Sequence, residues 1–213
     1  MIGRAQKGYS MNQGLMIVIS GPAGSGKGTV NAHLLAREDF VYSVSATTRA
    51  PRPGEVDGVN YHFLSHEEFR RRIEADELLE YTEYCGNFYG TLRKEAEAVL
   101  ASGKNLLLEI EVEGAQNVKA KFPDAVLIML LPPSFAVQEQ RLRGRGTEPE
   151  EKILQRLKRT HEELALANCY DYVVYNHDGR VLEAADEILA IVRAEGRALR
   201  RNPTVEADYF AEC

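Results

Sequence analysis

Residues 15–29 read LMIVISGPAGSGKGT, and the reading of the fold starts from them. An apolar run over residues 15–20 has the length of a buried strand, and a helical pattern occupies residues 26–36. Between them lie Gly21, Pro22, Ala23, Gly24, Ser25, Gly26 and Lys27, the G-x-x-x-x-G-K spacing of a P-loop. The glycines turn successive backbone N–H groups toward one point and the helix N-terminus adds partial positive charge. Lys27 then reaches the β and γ phosphates of a polyphosphate. An ordinary glycine-rich turn explains neither the spacing nor the lysine.

One position departs from the motif. The residue after the lysine, usually a Ser or Thr that ligates magnesium, is Gly28, and the hydroxyl comes one place later at Thr29. Magnesium is therefore expected to be held mainly through waters and the triphosphate of ATP, with Thr29 on an ATP phosphate.

Further buried-strand candidates occupy residues 106–111, 125–131 and 172–176, each separated from the next by enough chain for a crossover helix. The expected class is α/β, a P-loop NTPase-type parallel sheet with helices on both faces. Between residues 46 and 92 the runs are shorter and alternating, which predicts a small mixed-sheet insertion. Residues 141–151, RLRGRGTEPEE, are polar and Arg/Gly-rich and predict a surface segment able to move. Capping boxes at Ser65 with Glu68 and at Thr147 with Glu150 mark two helix starts. The expected organisation is a core over 15–45, 93–136 and 166–198, the insertion over 46–92, and a helical lid over 137–165. Residues 1–14 form a frayed extension, and 199–213 a tail that either docks on a neighbouring subunit in a homo-oligomer or stays loose.

Composition narrows the function. The 213 residues are 44% apolar and carry a formal charge of −6, a poor balance for binding nucleic acid in general. No apolar run approaches the roughly 20 residues that span a bilayer, and the first 14 residues do not read as a secretory signal. Cys85, Cys169 and Cys213 are odd in number and widely spaced, and the histidines lack metal-ligand spacing, so neither a disulfide framework nor a zinc site is expected. A reducing cytoplasm is the simplest setting.

Past the second strand comes SATTRAPRPGE over residues 45–55. Arg49 and Arg52 stand three apart on a proline-stiffened segment and offer two guanidinium forks to a monophosphate. Tyr61 and Tyr89 can add hydroxyl donors; solvated arginines and packed tyrosines are the other reading of the same residues. LLLEIEVEG, residues 106–114, ends an apolar strand in Glu109 and Glu111 on one face, where strand ends of α/β sheets meet the ligand crevice.

SATTRAPRPGE, the following Tyr61-His62-Phe63, GNFYGT at 86–91 and RGRGTE at 143–148 occur in this order and together resemble the guanylate kinase family over residues 15–193. GKGT also resembles the loop of nucleoside-monophosphate kinases such as adenylate kinases. The resemblance implies transfer of the γ-phosphoryl group of ATP to GMP, and to dGMP with it, assisted by Mg2+, in purine nucleotide metabolism and GMP recycling. It implies that Arg49, Arg52, Tyr61 and Tyr89 bind the GMP phosphate, with Gly90 between the last of these and Thr91. It also implies that Ser45, Glu80 and Thr91 read guanine: a carboxylate accepts the N1–H and 2-amino hydrogens, whereas adenine leaves it unpaired, a mismatch such sites reject by about 10⁴-fold.

Many family members carry Asp where Glu109 and Glu111 stand; Glu109 is assigned to the metal side, through water, and Glu111 to the base side. Arg141, Arg145 and Arg156 match lid arginines that, with Lys27, offset charge on the migrating phosphoryl group. Asn176 matches a position near the adenine ring, and a turn-forming Asn is the alternative. Two other functions remain open: a non-catalytic interaction module, which the intact Lys27 disfavours, and a P-loop kinase for another small phosphate acceptor.

Overall fold

The computed structural model describes residues 14–37, 39–84, 86–144, 146 and 149–211. The P-loop strand β1 (Met16–Ser20) leads through the loop to α1 (Lys27–Leu35) and β2 (Phe40–Tyr42). A second unit follows: β3 (Ala46–Thr47), β4 (His62–Phe63), α2 (His66–Glu74), β5 (Leu78–Tyr84) and β6 (Asn87–Leu92). The chain then returns through α3 (Arg93–Ala101), β7 (Asn105–Glu109), α4 (Val112–Lys121) and β8 (Val126–Leu131). Two helices, α5 (Phe135–Gly144) and α6 (Glu150–Ala165), precede β9 (Tyr172–Tyr175), α7 (Val181–Gly196) and α8 (Val205–Phe210).

The first sheet is parallel with order β2-β7-β1-β8-β9. Its central strand β1 is buried on both faces, as the continuous apolar run requires. Ile17 and Ile19 face a core with Val30 and Leu34 of α1 and Ile188 and Val192 of α7. Met16 and Val18 face the opposite core, with Ala96, Ala115 and Val118. The chain thus adopts the expected α/β class, and the C-terminal ends of these strands open onto a crevice.

The second sheet is mixed, with order β4-β3-β6-β5. It has its own small core, in which fully buried Phe69 of α2 stacks on Phe88 at 5.3 Å. β5 serves both units: Leu78 packs in this small core while Leu79 packs in the main one. A register shift between Leu78 and Glu80 accompanies the change, as a bulge does when it re-aims a side chain.

Four expectations need correction. β7 stops at Glu109, whose neighbour in the ladder is Ile19, and Glu111 is the N-cap of α4, so Glu109 and Glu111 do not share a strand face. α6 starts at Glu150 with Pro149 as its N-cap, so Thr147 is not the cap; Thr147 lies outside the described residues. Glu150 instead pairs with Arg143 at 2.6 Å. At α2 the box is half made: Ser65 Oγ accepts from the Glu68 N–H, but the Glu68 carboxylate turns to Arg71 and Arg72. The tail begins fastened rather than loose. Arg200 and Arg201 meet buried Glu195, which also accepts from the Tyr172 hydroxyl at 2.6 Å, and Arg201 donates to the Asp124 carbonyl. Beyond it, Tyr209 and Phe210 are exposed. Among the described residues no helix is long and apolar enough to cross a membrane.

Candidate active site

The loop of residues 21–27 runs between β1 and α1. Ser25 N–H closes back on the Pro22 carbonyl, and Lys27 Nζ donates to the Gly21 carbonyl at 2.5 Å. Gly26 caps α1 in the left-handed region, φ 90°, and a Cβ there would stand 2.3 Å from Asn176 Nδ2, so the position requires glycine. Asn176 is itself buried and donates that amide to the Ser25 carbonyl at 2.8 Å. Arg141 donates to the Gly24 carbonyl at 3.2 Å and the Asn176 carbonyl at 2.7 Å, and pairs with Asp178. Both residues therefore hold the loop backbone, and neither lines the cleft beside Lys27. Thr29 is exposed, and a side chain at Gly28 would meet open space.

That cleft, of about 280 Å³, lies between the loop and the mixed sheet. Lys27, Glu109 and Glu111 line it together with Arg49, Arg52 and Tyr61, and the same cavity takes in Ser45, Glu80, Tyr89 and Gly90. Arg49 is held firmly: its fork bonds both oxygens of Glu55 at 2.9 and 3.0 Å, and its guanidinium lies over the Tyr61 ring at 5.3 Å and the Phe63 ring at 5.9 Å. Glu55 also accepts from the Arg52 N–H at 2.7 Å, and the Arg49 fork holds its carboxyl below the usual range. One carboxylate thus orders the arginine segment. Tyr61 and Tyr89 meet edge to face at 6.2 Å.

Glu80 is 2% exposed, a rare state for a carboxylate. Burial pushes its pKa up to about 7, against the lowering effects of the Thr91 hydrogen bonds and of Lys121. Cross-strand register sets Thr91 opposite Glu80, and its hydroxyl donates to Glu80 Oε1 at 2.8 Å. Thr91 is fully buried, so it acts through Glu80 rather than from the cleft wall. Gly90 allows the strands this close: a Cβ would fall 2.8 Å from the Glu80 carbonyl and 3.1 Å from Phe69. The arrangement suits a ligand carrying an anion at the arginines and paired N–H donors at Glu80.

Glu109 accepts from Asn31 Nδ2 at 2.7 Å. Glu111 lines the cleft and lies 3.7 Å from the Arg159 guanidinium on α6. Arg159 also pairs with Glu163, whose pKa is raised by burial first and then by Glu111. Arg156 is exposed on α6 and outside the cleft, and Arg145 lies outside the described residues. Reasoning from sequence missed Glu55, Asn31, Arg159 and Tyr42, the last a cleft tyrosine whose pKa is raised by burial and by Glu109. Only Glu55 left a signal, as the acidic residue closing the arginine motif.

No hydroxyl follows Lys27, and among the described residues no group of three or more acidic, His or Cys side chains converges as a cage. Glu109 and Glu111 offer carboxylates beside Lys27, which suits a metal carried in on a triphosphate with its waters.

The family model described as guanylate kinase matches residues 13–194. The guanylate kinase of Desulfitobacterium hafniense is 48% identical over 195 residues, covering 91% of this chain and 96% of the relative. That of Halalkalibacterium halodurans is 53% identical over 184 residues, covering 86% and 89%. The crystal structure of guanylate kinase from Anaplasma phagocytophilum superposes with a TM-score of 0.72 at 36% identity, covering 90% of this chain and 92% of that one.

Proposed function

The chain belongs to the guanylate kinase family, and from that premise we propose that it transfers the γ-phosphoryl group of ATP to GMP, giving ADP and GDP. The observation that supports the reading is a single cleft lined by Lys27, by the braced Arg49 and by the buried Glu80. In this reading Lys27 and the loop N–H groups hold the triphosphate of MgATP. Arg49, Arg52, Tyr61 and Tyr89 hold the GMP phosphate. Glu80 accepts the N1–H and 2-amino hydrogens of guanine, with Ser45 and Gly90 completing the wall and Thr91 fixing the carboxylate.

A GMP phosphate oxygen attacks the γ phosphorus as the bond to the β-phosphate oxygen breaks, and that oxygen leaves with ADP. No proton need move and no covalent enzyme intermediate forms, so the residues contribute position and charge. Magnesium, when bound with ATP, would supply charge neutralisation on the phosphates, and Glu109 is the residue that would hold it, through water. In this reading Lys27 offsets charge on the migrating group from the cleft wall, and the lid arginines Arg141 and Arg156, which lie outside the cleft lining, join it with Arg145 only on lid closure, which also keeps water from intercepting the group. The setting is cytoplasmic purine metabolism and the recycling of GMP.

The test follows ADP formation from ATP with each nucleoside monophosphate in turn. GMP should exceed AMP in kcat/KM by about 10³-fold or more. Equal turnover of the two would refute the assignment of Glu80.

A further inference from the structure

We infer that Gln138 is a positioning residue that couples the shape of the phosphate loop to the arginine-bearing helix α6. Gln138 sits on α5, 1% exposed, and its amide nitrogen spends both hydrogens. One goes to the Ala23 carbonyl at 2.9 Å, the other to Thr160 Oγ1 of α6 at 2.7 Å. Thr160 is also buried, and its own hydroxyl hydrogen is directed to the Arg156 carbonyl at 3.1 Å, which leaves a lone pair for Gln138.

The surroundings are apolar: Leu142, Ile153 and Leu157 form the small core between α5 and α6, and Ala23 packs against it. Packing alone would be served there by leucine. A buried amide nitrogen costs free energy unless its hydrogens are paired, and each hydrogen it commits fixes the placement of the group that accepts it. The three groups joined are the phosphate loop, α5 and the helix that carries Arg156 and Arg159.

The effect on the loop follows from peptide geometry. In a planar trans peptide the carbonyl and the following N–H point opposite ways, so holding the Ala23 carbonyl at Gln138 turns the Gly24 N–H away from α5. The next two carbonyls, of Gly24 and Ser25, are taken by Arg141 and Asn176. Three consecutive carbonyls are thus occupied by side-chain donors, which keeps their negative ends from an incoming anion. Gln138 is the member of this set that also reaches α6.

The inference rests on residues 21–27 being the triphosphate site, which wild-type ADP formation tests separately. The deciding variants are Thr160→Val, which keeps shape and removes the arm to α6 together with the hydroxyl's bond to the Arg156 carbonyl, Thr160→Ser, which restores the hydroxyl, and Gln138→Leu, which removes both arms of Gln138 and leaves the Thr160–Arg156 bond. Steady-state kinetics and thermal midpoints are measured on all three. Thr160→Val should lower kcat by about fivefold or more with KM for ATP within about twofold, and Thr160→Ser should retain kcat. Gln138→Leu should in addition raise KM for ATP about fivefold while KM for GMP holds. Wild-type kcat in Thr160→Val, or equal loss in the Val and Ser variants, overturns the inference. So does a Gln138→Leu enzyme changed only in thermal midpoint. Should Gln138→Leu fail to fold, the Thr160 pair decides alone.

Discussion

Glu80 answers to two opposing demands. The proposed reading of guanine needs its carboxylate ionised, whereas burial favours the protonated form and lifts its pKa to about 7. A carboxyl whose folded-state pKa is raised contributes stability that is fully present below the unfolded value, near 4.5, and is lost as pH rises through 7. Glu80→Gln, which cannot ionise, should therefore be more stable than wild type at pH 8 by up to about 3 kcal/mol and lose that advantage by pH 4.5. Denaturant titrations at the two pH values check this; an advantage independent of pH contradicts it. At this scale the sequence made Lys27 and the arginine pair legible because their motifs are local. Asn31 was not legible, since its bond to Glu109 joins residues 78 apart and exists only once α1 packs beside β7.

The second sheet hangs on few apolar contacts, with Phe69 at their centre. Phe69→Ala removes a fully buried ring stacked on Phe88, a change that costs about 3–5 kcal/mol in a core. Phe69 also lies against the Gly90 position, so the loss should reach the GMP side of the cleft first. The expected outcome is a rise in KM for GMP of about tenfold or more with KM for ATP nearly unchanged; equal changes in both would show that the sheet does not act as a separate support. The elements themselves were largely readable: a small mixed sheet was expected between residues 46 and 92, where β3 to β6 lie, because the runs there are short and alternating. Ends of elements were not. β7 stops where its ladder with β1 stops, and Pro149, which has no N–H to donate, takes the extended N-cap position of α6 in place of the expected threonine.

Across the whole molecule a net charge of −6 coexists with a cleft that gathers Lys27, Arg49 and Arg52. Composition reported the average and the motifs reported the local exception, so both were legible without coordinates. What the sequence did not carry is the depth at which each group sits, because burial is set by the two units together. Arg49 is held by Glu55 and two rings, while the buried Glu80 is placed by a bulge and a glycine on the opposite strand.

The account stands or falls on guanine meeting an ionised Glu80 in this cleft, and proton release measures that directly. GMP is titrated calorimetrically at pH 7 in two buffers of different ionisation enthalpy, on wild type and on Glu80→Gln. With a free-enzyme pKa of about 7, the wild type should release about half a proton per GMP bound, and the variant should lose most of that release. The same release from both proteins, or none from the wild type, would contradict it.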